Sequence, residues 1–221
     1  GSAASAVGAI VAASALLDHP LTQEQMMSYA LIGEAQASGS FHADNVAPCL
    51  VGGLTLSRVR GAPTHDQAPH VEVTSLPLPK DLYCVLINPE LSIQTKEARG
   101  ILKTEVPLKT HIEQSANLAG FIAGCFESDF DLIRRSLSDL VIEPQRAHLI
   151  PGFYEIQEAA LTTGALGCSI SGAGPSIFAW VKGKPLAELI CATLIAKFRA
   201  GGIASKGWAA PLVSDGARVL S

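Results

Sequence analysis

With 221 residues, 48% of them apolar, the chain is long enough to bury a core in one domain or two small ones without disulfide staples, and this composition excludes a disordered polymer. Its 16 Lys and Arg against 20 Asp and Glu give a formal net charge of −4, without the basic footprint that a nucleic-acid partner requires. Only 5% of the residues are aromatic, so the core must rest on Ala, Val, Leu and Ile, and the five cysteines stand singly, which argues against a disulfide framework or a CxxC zinc site and for a reducing, cytosolic compartment.

From Ala3 the apolar positions Ala3, Val7, Ile10, Val11 and Leu17 recur at helical spacing and stop at Asp18-His19-Pro20. The uncharged stretch from Gly1 to Leu17 is too short and too rich in Ser and Ala to span a membrane, and reads as a largely buried helix. A second helix opens with Thr22 as its N-cap and Gln25 as capping-box partner, with Leu21 placed to staple onto Met26. Its stripe runs Met27, Ala30, Leu31, Glu34, and a carboxylate on an apolar face is costly unless something satisfies it. The segment Ser40 to Asn45 reads as a polar turn, Leu54 to Val59 as a strand, Arg60 to Pro69 as a loop and Val71 to Val73 as a strand. The prolines of Leu76-Pro77-Leu78-Pro79 suit an extended linker, which divides the chain into 1–79 and 80–221.

Beyond it the expected order is strand 82–87, helices 96–102, 108–126 and 132–142, a helix opened by Pro151 and ended by Gly164, strand 168–171, a turn at Gly172-Ala173-Gly174-Pro175, strand 176–181, helix 185–200 and strand 207–213. Without the extra helices this is β-α-β-β-α-β, the ferredoxin-like arrangement of an α+β sandwich with helices on one face of an antiparallel sheet.

Several groups could carry chemistry. Gly1-Ser2-Ala3-Ala4-Ser5 heads a helix, where free N–H groups and the helix dipole suit an anion, although such strings are also ordinary helix starts. The Gly172 to Ser176 turn joins two strands where a dinucleotide fingerprint would join a strand to a helix, so a Rossmann site is excluded; either the Ser171 and Ser176 hydroxyls line a phosphate or buttress the first loop, or this is a plain hairpin. Glu34 reads as a metal ligand, a hydrogen-bonded buried carboxylate or an outward-facing residue. His42-Ala43-Asp44-Asn45 offers donors and acceptors for recognition, with His42 and Asp44 on one side of an extended stretch; metal binding there ranks low because no third soft ligand stands near. Arg99 and Arg146 carry guanidinium forks suited to a carboxylate, against the plain alternative of surface charge.

The string Gly33-Glu34 followed by Ser38-Gly39-Ser40-Phe41-His42-Ala43-Asp44-Asn45-Val46-Ala47-Pro48 resembles a segment of the homoserine kinase branch of the GHMP small-molecule kinases. Gly1 to Ser5, Glu143-Pro144 with Arg146 and Leu149-Ile150-Pro151-Gly152, and Ser169 to Ser176 are similar to further motifs of that family in the same order. The resemblance implies a two-domain GHMP fold, with the remainder of a ribosomal protein S5 domain 2-like ATP-binding domain over 1–79 and the ferredoxin-like domain over 80–221. It implies transfer of the γ-phosphoryl of ATP, with Mg²⁺, to the hydroxyl of L-homoserine on the route to threonine. His42, Asp44, Asn45, Thr95, Arg99 and Arg146 would then bind substrate. Gly1, Ser2, Ala3, Ala4, Gly172, Ala173 and Gly174 would face the triphosphate, Ser2 and Glu34 would hold the metal, and no residue is assigned as general base. Phosphoryl transfer depends on positioning and charge neutralisation, so a missing base is tolerable. The resemblance further implies ATP and homoserine as partners, no membrane, a family commonly dimeric, and residence in the cytoplasm, or in the plastid of a plant. Members carry a long stretch before the phosphate loop, so the chain as written reads as truncated and inactive alone. The rival readings are another GHMP kinase acting on a different alcohol, and a noncatalytic binding protein of the same fold.

Overall fold

A computed structural model describes residues 1–61, 68–93, 98 and 100–220. The chain divides into two compact units, one of Gly1–Leu78 with Val213–Ser221 and the other of Pro79–Leu212.

The first unit contains α1 (Ser2–Ser14), α2 (Gln23–Ser38), α3 (Ala43–Val51), β1 (Leu54–Arg60) and β2 (His70–Leu76). The capping box of α2 forms as expected: the Thr22 side chain accepts from the Gln25 backbone N–H and the Gln25 side chain accepts from that of Thr22. Gly39 closes the helix in the left-handed conformation. Met27, Ala30, Leu31 and Glu34 are its buried residues. Met27, Ala30 and Leu31 join Val7 of α1 and Val46, Ala47 and Leu50 of α3 in one core, with Val71 and Val73 of β2 against it. β1 and β2 pair antiparallel from Leu54 opposite Leu76 to Arg60 opposite His70.

Two expectations fail in this unit. Helix α1 buries only Ala3, Val7 and Ser14, so it is half exposed where a largely buried helix was expected. Its alanines face solvent over the remaining positions, and alanine favours a helix whether or not it is covered. The segment read as a polar turn is instead the entry to α3: His42 is the N-cap, and Asp44 and Asn45 lie in the first turn. Ala43, Val46, Ala47 and Leu50 supply a helical apolar face, which Pro48 and the shortness of the helix obscure.

The second unit is the β-α-β-β-α-β sandwich with extra helices. Its elements are β3 (Leu82–Pro89), α4 (Leu108–Glu127), α5 (Phe130–Ser136), α6 (Glu143–Arg146), a 3₁₀ turn over Ala147–Leu149, α7 (Phe153–Thr163), β4 (Gly167–Ile170), β5 (Ile177–Lys182), α8 (Lys184–Ala200) and β6 (Ser205–Pro211). The sheet runs β4-β5-β3-β6, every neighbour antiparallel. Val85, Ile87, Ile177, Ala179 and Val181 cover one face and pack on Ile156 and Ala160 of α7 and on Ile190, Leu194 and Phe198 of α8. Each large side chain buried there contributes about 1.5–3 kcal/mol.

Helices were expected on one face only, yet Trp180 alternates to the other face of β5 and meets Phe121 of α4, ring centroids 5.1 Å apart. The helix expected over 132–142 ends at Ser136, because the Asp139 carboxylate accepts from the backbone N–H groups of Val141, Ile142 and Glu143 and starts a new turn. Gly152, not Pro151, caps α7. Residues 96, 97 and 99 of the helix expected over 96–102 lie outside the described residues.

Candidate functional site

In the first unit the site is built around Glu34. Gly33 faces α1, where an added Cβ would stand 3.4 Å from that of Ala6. The next residue, Glu34, is only 2% exposed. Its Oε1 accepts a hydrogen bond from Nδ1 of His42 at 2.9 Å. A carboxylate only accepts, so that ring nitrogen carries the proton. The Ser38 hydroxyl lies 3.1 Å from the same nitrogen. Burial by itself would raise the Glu34 carboxyl, but the hydroxyl of Ser2, the His42 ring and Ser38 outweigh it and hold the group below its ordinary range.

The second oxygen, Oε2, is buried without a hydrogen-bond partner. An orphaned carboxylate oxygen is expensive to maintain, and beside a serine hydroxyl it suits a hard cation that takes oxygen ligands. Among the described residues no group of three or more His, Cys, Asp or Glu gathers to hold a metal. A cation at Glu34 would therefore draw further ligands from a bound oxyanion and water, as Mg²⁺ commonly does.

Gly1 is the N-cap of α1 and supplies no side-chain cap. The first-turn N–H groups, with Ser2 and Ala4 exposed and Ala3 buried, thus head an anion-compatible helix start. Ser2, Glu34 and His42 come together. Asp44 and Asn45 sit exposed on the first turn of α3, available to a ligand. His42, expected on substrate, spends Nδ1 on Glu34. Sequence reasoning passed over Ser38, whose hydroxyl also donates to the backbone of its own turn, and no local pattern marks that role.

In the second unit the Gly172 to Ser176 turn is a tight hairpin, with Gly172 at φ 59° and Gly174 at φ 83°, where glycine is favoured. Ser171 N–H donates to the Ser176 carbonyl and Gly174 N–H to that of Ser171. Ala173 lies between the two glycines at the tip. The hydroxyl of Ser176, expected to line a phosphate or brace the first loop, donates to Asn88 Oδ1 on β3.

Arg146 is 9% exposed. Nε donates to the Ala98 carbonyl at 2.9 Å and Nη1 to the Gly172 carbonyl at 3.0 Å. The fork expected on a carboxylate thus ties the hairpin to the segment at Ala98. Thr95 and Arg99 lie outside the described residues. All five cysteines are free; burial pushes the thiols of Cys84 and Cys168 up to about 11 and about 12. No described helix is long and apolar enough to cross a membrane.

Comparison with known proteins adds to this geometry. Residues 1–53 match the GHMP kinases N terminal domain and residues 121–200 the GHMP kinases C terminal. A homoserine kinase of Xylella fastidiosa is 45% identical over 220 residues, covering 100% of this chain and 65% of its own. One from Chlorobium phaeobacteroides is 41% identical over 221 residues, covering 99% of this chain and 67% of its own. The crystal structure of homoserine kinase from Cytophaga hutchinsonii matches with a TM-score of 0.89 and 41% identity, over 97% of this chain and 65% of that one. Mevalonate kinase of L. major, 16% identical with a TM-score of 0.71, shares the fold. The chain spans about 65% of the length of the first of these relatives. With matches at both ends and 41–45% identity along its length, the chain belongs to the GHMP kinases, beside their homoserine kinase members.

Proposed function

We propose that this chain is the catalytic part of a homoserine kinase, which moves the γ-phosphoryl of ATP to the hydroxyl of L-homoserine and yields O-phospho-L-homoserine. The observation that carries the reading is Glu34: a buried carboxylate held ionised, with one oxygen fixed by His42 and the other left without a partner beside Ser2. A residue needed only for packing would not retain an orphaned charge there. The identity with homoserine kinases of two bacteria supports L-homoserine as the substrate in this reading.

In this reading Glu34 and Ser2 hold Mg²⁺, which when bound neutralises charge on the transferring phosphate. His42 and Ser38 orient the Glu34 carboxylate. The N–H groups at the head of α1, over Gly1, Ser2, Ala3 and Ala4, and the hairpin Gly172, Ala173 and Gly174 bind phosphate oxygens. Asp44 takes the ammonium of homoserine and Asn45 its polar groups, while Arg146 holds the hairpin and, with Thr95 and Arg99, serves the carboxylate end. No side chain is assigned as base, because in-line transfer asks chiefly for alignment and charge neutralisation. We place the reaction in the reducing cytoplasm, where five free thiols are at ease.

A coupled ADP-release assay on the full gene product tests this. Release should require homoserine and fall at least tenfold with a neutral sugar, which leaves both Asp44 and the arginines without their charged partners. Equal rates with every alcohol would overturn the substrate, and no release with any would favour a noncatalytic binder.

A further inference from the structure

We propose that the second unit carries a separate binding site for a free aliphatic α-amino acid, in the cavity of about 410 Å³ bounded by α5, α6, α7 and the start of β4. Its volume falls within the range of small-molecule pockets. The site rests on an unusual pair of charges. Glu143, at the start of α6, is 9% exposed and lines the cavity. Its Oε1 accepts from Gln157 Nε2 at 3.0 Å, a neutral donor, and no cation pairs with it among the described residues. Gln157 is held in turn, for the same amide nitrogen donates to the Cys168 carbonyl at 2.7 Å. The carboxylate is therefore fixed by a network on one side while its charge stays uncompensated.

Arg134, in the last turn of α5, lines the same cavity and is exposed, with no hydrogen bond or ion pair to any described residue. One buried anion and one unpaired cation, too far apart to bridge each other, thus face a common space. The rest of the lining is mixed, with Leu137, Leu161 and Leu166 beside Ser138 and Gln157, and the leucines supply its apolar part. A ligand completing this set needs an ammonium for Glu143, a carboxylate for Arg134 and an aliphatic stem, which together describe an amino acid such as leucine or valine. A plain amine would leave Arg134 unused, and a fatty acid would set its carboxylate against Glu143.

The site is distinct from the hairpin proposed to bind phosphate. Leu166 and Cys168 line it at the start of β4, whereas Gly172 follows the far end of that strand. The inference does not depend on the kinase reading.

Titration calorimetry on the full gene product tests it, using L-leucine, isopentylamine and 4-methylpentanoate, each with and without saturating homoserine and Mg-ATP. Leucine is expected to bind with a saturating isotherm whether or not the substrates are present, and the two single-charge analogues at least tenfold more weakly, as loss of one charge-assisted contact requires. Arg134→Ala, an exposed substitution that spares the fold, should weaken leucine at least tenfold while leaving homoserine-dependent ADP release unchanged. Glu143→Gln should weaken it as much. Absence of leucine binding at 20-fold excess over protein at millimolar concentration, leucine displaced by homoserine, or binding indifferent to Arg134→Ala would each overturn the proposal. So would an amine that binds as well as leucine. Failure of the kinase assay would leave these outcomes readable, because calorimetry needs no turnover.

Discussion

Replacing Glu34 by Gln separates a working carboxylate from a structural one. The amide keeps the shape of the side chain and its oxygen still accepts from His42, so the hydrogen bond becomes neutral but survives. A bond to a charged group is worth about 1.5–3 kcal/mol and a neutral one about 1. Oε2 makes no hydrogen bond, so what the charge loses besides the His42 contact is the favourable effect of the Ser2 and Ser38 hydroxyls. Unfolding in urea should therefore show a loss of about 1 kcal/mol at neutral pH, well short of the ~3–5 kcal/mol that breaking a buried ion pair costs. The loss should depend on pH in a fixed sense. The Glu34 pKa is lowered on folding, so its ionised form adds stability above the unfolded value of 4.5, and that contribution fades as pH falls through the folded value. Wild type and variant should converge in acid. Homoserine-dependent turnover should fall roughly 100-fold or more, the scale of removing one electrostatic element from a transition state. A variant that keeps turnover within tenfold of wild type, or that loses more than ~3 kcal/mol of stability, would refute the reasoning.

Three further outcomes follow from the geometry. Arg146→Lys keeps the charge but cannot serve both the Ala98 and Gly172 carbonyls; hydrogen exchange at the Gly174 amide should speed up roughly tenfold, the ~1–3 kcal/mol of one buried unpaired acceptor. Burial holds the Cys84 and Cys168 thiols up at about 11 and about 12, so at pH 8 neither should react with a disulfide reagent in the folded protein, and both should after unfolding, as read by mass spectrometry. Ile190→Ala, at a fully buried position between α8 and the sheet, should cost about 2–5 kcal/mol by chemical denaturation.

Where a signal was local, the sequence carried it. Thr22 and Gln25 mark the start of α2, and the spacing of Met27, Ala30, Leu31 and Glu34 marks its buried face together with the one carboxylate that needs explaining. The succession of strands along the second unit followed from alternation and from Gly164, Gly172 and Gly174. What stayed hidden was set by distant partners. Helix α3 is short, interrupted by Pro48, and closed on a core supplied by other helices. The end of α5 depends on Asp139 reaching forward to three N–H groups, a choice that helical periodicity does not record. The tie that Arg146 makes across the second unit was invisible because its carbonyl partners lie 26 and 48 positions away in the chain. The return of residues 213–220 to the first unit was equally invisible, since the Val213 carbonyl that Gly53 N–H meets lies beyond the whole second unit in sequence.

The most direct measurement is phosphorus NMR of the full gene product incubated with ATP, magnesium and L-homoserine. A phosphomonoester resonance, coupled to the methylene protons of homoserine and growing one for one with ADP, is the predicted result. ADP that accumulates with inorganic phosphate alone, or an ester that forms on another alcohol while homoserine stays untouched, would contradict it.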